Sequence, residues 1–105
     1  MLFSTTPTLE GHQISHYHGL VAFEAIIGAN VFRDFMASIT DVIGGRSGSY
    51  ESALGSARDH ALEGLAEKAR GLGANAVVGM RLDYEIFGEK GMMLVIAYGT
   101  AVTVA

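Results

Sequence analysis

Ala76 to Phe87 and Met92 to Val104 both read as extended chain, with Gly88-Glu89-Lys90-Gly91 between them as a turn. Two long strands joined so briefly form an antiparallel hairpin. With Phe87 paired to Met92, Val78, Met80, Leu82, Tyr84 and Ile86 share a face with Met93, Val95, Ala97, Gly99 and Ala101. The opposite face mixes Arg81, Asp83 and Glu85 with Leu94, Ile96, Tyr98 and Val102. A hairpin this apolar on both faces needs two covers. The small residues of the first face suit a close helix. Arg81, Leu94, Ile96 and Tyr98 on the second make a candidate subunit interface. A bulge would flip one strand and change these assignments.

The rest of the chain supplies an α+β order. Leu2 to Thr5 reads as a short strand ended by Pro7, Glu10-Gly11 as a turn, and Gln13 to Ala25 as a longer strand. Val31 to Ile43 reads as a helix capped by Asn30 and stopped by Gly44-Gly45. Its apolar stripe is Phe32, Phe35, Met36, Ile39, Val42 and Ile43. A second helix lies within Ser47 to Leu72, capped by Ser47 or Ser49 and closed by Gly73. Leu54, Ala57, Ala61, Leu65, Ala69 and Leu72 form its stripe, which predicts that it covers the hairpin. Gly55 and Gly64 inside it are either weak points or places of close packing. The order is therefore β-β-α-α-β-β in one domain, residues 1–105.

Composition points to self-association. Half the 105 residues are hydrophobic and only 17% are charged, against roughly 25% in an average soluble domain. Burying an interface removes the excess apolar area from water. The net charge of −4 disfavours nucleic acid and anionic membrane surfaces, which need Lys and Arg. Without cysteine there is no disulfide, thiolate metal site or cysteine nucleophile. A reducing cytoplasm is the natural home for such a chain. The first residues lack the basic and apolar regions of a signal peptide, and no apolar stretch is long enough to span a bilayer.

Two constellations could carry chemistry. His16-Tyr17-His18 puts two imidazoles on one strand face, about 7 Å apart at two strand rises. Neutral imidazoles bind Zn, Cu or Ni, and Asp83 or Glu85 could complete the site if their strand lies adjacent. The plainer reading is two partly exposed histidines on a mixed face. Gly44-Gly45-Arg46-Ser47-Gly48-Ser49 precedes a helix, where free amides, Arg46, Ser47 and Ser49 could cradle a phosphate or carboxylate. The plainer reading is a glycine-rich connector. No set of residues converges on catalysis, and no Gly-x-Ser-x-Gly elbow sits between strand and helix.

Phe3-Ser4-Thr5-Thr6, Gly28-Ala29-Asn30 with Arg33-Asp34, Gly44-Gly45-Arg46-Ser47 with Tyr50, and Gly73-Ala74-Asn75-Ala76-Val77-Val78-Gly79 together resemble the YbjQ-like family. These are small bacterial and archaeal proteins that carry a heavy-metal-binding label. The resemblance covers nearly the whole chain. It implies a dodecin-like subunit: a three-stranded antiparallel sheet covered by two helices on one side. It also implies a homopentameric ring, and a divalent transition metal as the cofactor to test. It supplies no ligand residues and no enzymatic activity. The other functions left open are an anion or phosphometabolite site at Arg46, and a structural assembly module with a protein partner.

Overall fold

The computed structural model describes residues 1–27, 48–87 and 92–105. Its elements are β1 (Leu2–Phe3), β2 (Ile14–Ile27), α1 (Gly48–Gly71), β3 (Ala76–Phe87) and β4 (Met92–Val104). They build one four-stranded mixed sheet in the order β1-β3-β4-β2. β1 is parallel to β3, and the other two pairings are antiparallel. This corrects the expected three-stranded antiparallel sheet under two helices. The two-residue β1 adds a parallel edge, and the described residues hold one helix, in the order β-β-α-β-β. The helix expected at Val31–Ile43 lies outside the described residues.

The two strands pair as their four-residue spacing predicts, with Phe87 opposite Met92; the turn expected at Gly88–Gly91 lies outside the described residues. That register holds as far as Arg81↔Tyr98 and then shifts. Gly79 and Met80 together oppose the single residue Gly99, and Gly79 adopts φ 58°. This is a bulge built on a left-handed glycine. Leu82 and Met80 therefore pack into the main core, but beyond the bulge it is Val77 that does so, opposite Ala101. Val78 turns to the other side of the sheet, a correction to its expected place under the helix. There it joins Ala76, Val102 and Val104 in a second small core, packed by Leu9 and Ile14. The chain thus covers Val102 itself.

The segment after β1 holds this second core in place. Ser4 N donates to Val77 O, Met80 N to Ser4 O, and Gly79 N to Thr6 O at 2.8 Å. Side-chain bonds from Thr6 Oγ1 to Thr8 O and between the Ser4 and Thr6 hydroxyls brace the turn. The Phe3-Ser4-Thr5-Thr6 motif is therefore a strap across the β3 bulge. Glu10-Gly11 turns as expected, with His12 N donating to Leu9 O and Gly11 at φ 81°.

α1 lies mainly on β2 and β4. Ala57, Ala61, Leu65 and Ala69 are buried against Val21, Ala25, Val95 and Ala97. Leu72, expected in the stripe, is exposed because the helix has already ended. Its end is a Schellman motif. Ala74 N donates to Ala69 O at 3.0 Å and Gly73 N to Arg70 O at 2.9 Å, with Gly73 at φ 91°. Asn75 then leads into β3. Its side chain donates to Val104 O and accepts from Val104 N, which extends the ladder by one rung. Tyr84 and Ile86, also expected under the helix, remain exposed at the far end of β3.

Candidate functional site

β2 carries two more bulges. Its register with β4 slips between Ile14 and His16 and again between Tyr17 and Gly19, where Gly19 reaches φ 108°. Ser15 secures the first slip by donating to Thr103 O at 3.2 Å. The second makes His18 the extra residue and swings it toward the end of α1. The two imidazoles then meet edge to face with centroids 4.4 Å apart, well under the roughly 7 Å of two regular strand rises. His18 Nε2 lies 2.7 Å from Thr103 Oγ1, and Thr103 Oγ1 donates to Gly73 O at 3.1 Å. His16 is exposed and His18 half-buried, so the pair opens to solvent on one side.

The acids expected to complete this pair are elsewhere. β4 separates β3 from β2, so the strands that carry the acids and the histidines are not adjacent. Asp83 is level with Ile96 on β4, whereas His16 is level with Thr103. Seven residues of strand between those levels span about 23 Å. Among the described residues no group of three His, Cys, Asp or Glu side chains converges on a point. Two imidazoles still suit a borderline transition metal, with the remaining positions open to water or a second protein chain.

Asp83 and Glu85 belong instead to the outer face of the sheet. Arg81 is level with Tyr98 and Ala22, Asp83 with Ile96 and Glu24, and Glu85 with Leu94 and Ile26. The Tyr98 phenol donates to the Asp83 carboxylate. That bond, partial desolvation and the Asp83 charge raise its pKa, and Arg81 offsets part of the rise. A raised phenol pKa means the contact stabilises the fold below the ordinary value of about 10 and is lost as pH climbs through the higher folded-state value. Asp83→Asn should bring the Tyr98 titration down toward its ordinary value. Phenolate absorbance against pH, with Tyr98→Phe as the subtraction, checks this; an unmoved titration would show that the contact does not form in solution.

Arg46 and Ser47 lie outside the described residues, and Ser49 falls in the first turn of α1. Thr103 and the Gly73 carbonyl were not legible as site groups. Pairing Thr103 with the histidines requires the two β2 bulges, and no sequence period signals them.

Comparison with known proteins places this architecture. The chain matches, over residues 1–105, a family described as "Putative heavy-metal-binding". A UPF0145 protein of Actinobacillus pleuropneumoniae serotype 5b is 58% identical over 105 residues, covering 99% of each chain. Its counterpart in serotype 3 is 57% identical over the same span. A crystal structure of a DUF74-family protein of unknown function from Pediococcus pentosaceus superposes with a TM-score of 0.63 at 16% identity. That match covers 100% of this chain and 98% of the other, and shows a shared fold. The whole-chain match and the close relatives agree with the ordered motifs: the chain belongs to the YbjQ-like (UPF0145) family.

Proposed function

We propose that this chain is the subunit of a homo-oligomeric ring that binds a divalent transition metal through His16 and His18. The observation that carries the metal reading is the imidazole pair at 4.4 Å, with one ring tied to Thr103. Paired neutral imidazoles favour Zn, Cu or Ni over the oxygen-seeking Mg and Ca. A bound metal would supply Lewis acidity or simply be held as cargo; the chain's own part is to present two nitrogens on a bulged strand. The family description supports the same ligand class.

Self-association is supported by shape and surface. The described residues form a slab of 51 × 24 × 16 Å with a radius of gyration of 16.4 Å, where even a compact chain of 105 residues would have about 13 Å. A slab buries little of its own surface. Its outer sheet face carries Leu20 and Ile26, 77% and 61% exposed, beside half-buried Leu94, Ile96 and Tyr98. A further copy would remove that area from water. The number five comes from the family resemblance.

Elemental analysis of protein purified without an affinity tag, together with light scattering, tests both parts. The expected result is stoichiometric metal on a pentamer, and no metal on His16→Ala or His18→Ala. No metal, with no change in melting temperature on adding Zn, Cu or Ni, would end the metal reading. A monomer at micromolar concentration would end the ring.

A further inference from the structure

The hydrogen bonds around Thr103 determine which nitrogen of His18 is free. A threonine hydroxyl has one proton to give. The Gly73 carbonyl can only accept, so the Thr103 proton goes there, across 3.1 Å. Thr103 Oγ1 must then act as acceptor toward His18 Nε2 at 2.7 Å. Nε2 therefore carries the proton, and neutral His18 is left with an unprotonated Nδ1. Among the described residues no hydrogen bond engages that nitrogen.

The anchor of this chain of bonds is itself tied down by backbone hydrogen bonds. Gly73 sits in the Schellman turn, held by its own amide bond to Arg70 O and by that of Ala74 to Ala69 O. His18 lies alongside it: a methyl group on Gly73 would meet His18 Cε1 in ordinary van der Waals contact at 3.6 Å. Thr103 is held from the other side by the Ser15 bond to its carbonyl. The helix end, the C-terminal strand and the bulged strand thus meet at one hydroxyl.

We propose that Thr103 is a positioning residue that fixes His18 as the Nε2–H tautomer and so leaves Nδ1 as the metal donor of the ring whose centroid stands 4.4 Å from that of His16. It acts as an outer-shell partner, donor orientation being set by the hydrogen bond on the other ring nitrogen. This rests on the metal reading above, but the tautomer belongs to the metal-free protein and is measured without any metal.

Nitrogen-15 NMR of the His18 ring in metal-free protein, above the pH at which histidine protonates, gives the tautomer directly. Titration with Zn2+ gives the affinity. In the wild type the Nε2–H form should dominate. Thr103→Val keeps the shape and removes the hydroxyl, and should give mixed tautomers with Zn2+ affinity reduced about 10–100-fold. Thr103→Ser should restore both. A dominant Nδ1–H form in the wild type would overturn the proposal without recourse to any variant. Wild-type tautomer and affinity in a folded Thr103→Val protein would overturn it too, and leave the metal reading intact. A wild type that binds no Zn2+ would remove the metal reading, and the role of Thr103 with it.

Discussion

Gly99→Ala lowers the melting temperature by roughly 10–20 °C, at about 4–8 °C per kcal/mol for a domain of this size. Gly99 is the single residue on β4 that faces the two-residue bulge of β3. A methyl group there would lie 2.7 Å from Val77 Cγ1, 3.0 Å from Val78 O and 3.2 Å from Met80 Cα. Two of those three atoms are backbone. The backbone is pinned in turn by the strap bonds from Gly79 N and Met80 N to Thr6 O and Ser4 O. Relief therefore requires the strap to loosen or the bulge to open, which disturbs the main core and the second small core together. Forcing extra volume into a packed site costs about 1–3 kcal/mol, and a backbone obstruction belongs in the upper part of that range. Thermal unfolding of the purified variant checks the value. A shift of only a degree or two would mean that the bulge does not press on Gly99 in solution.

Gly64→Ala destabilises by about 1–2 kcal/mol, an overpacking cost in the upper range of about 2–3 kcal/mol less a helix-propensity gain of about 1 kcal/mol. Gly55→Ala in the same helix moves the other way, by about 0.5–1 kcal/mol. A methyl group at Gly64 would come within 2.5 Å of three atoms of the Phe23 ring. At Gly55 the nearest atom is Arg58 Nη2, 3.8 Å away at the end of a flexible side chain. The Phe23 ring lies in a notch on α1, with His60 edge-on at a centroid distance of 5.9 Å and Lys68 Nζ 5.7 Å from its centre. His60, Gly64 and Lys68 are successive fourth residues on one helix face, so the glycine is the floor of the notch. Denaturant unfolding of the two single variants and of Gly64→Ala combined with Phe23→Leu checks the cause. The smaller leucine side chain should recover part of the loss. A stabilising Gly64→Ala would show that the ring does not seat there.

The alternative readings of these two glycines separate on the same physical ground. A glycine in a helix looks identical in sequence whether it is a weak point or a seat. Only the partner strand distinguishes them, and Phe23 on β2 is distant in sequence. The histidine pair behaves similarly. His16 and His18 were legible as two imidazoles on one face. Their approach to 4.4 Å and their connection to Thr103 and Gly73 depend on an extra residue in the strand, opposite a partner far along the chain. Asp83 and Glu85 were paired with them only on the condition that β3 lies beside β2, and β4 lies between.

What the amino-acid order determined by itself was local. The four-residue spacing between Phe87 and Met92 sets their register, because a short connection leaves few ways to pair. Gly73 stops α1, because left-handed backbone is cheap only without a Cβ. Alternation from Arg81 to Ile86 assigns which residues share a face of that half of the hairpin, but Tyr84 and Ile86 stay exposed instead of lying under α1. Tertiary structure decided everything beyond the three bulges. A bulge exchanges one ladder hydrogen bond for better packing against distant segments, and a period of two cannot signal that exchange. It is what turned Val78 away from α1, gave Val102 a cover from the chain's own Leu9 and Ile14, and brought the two histidines together at the end of the helix.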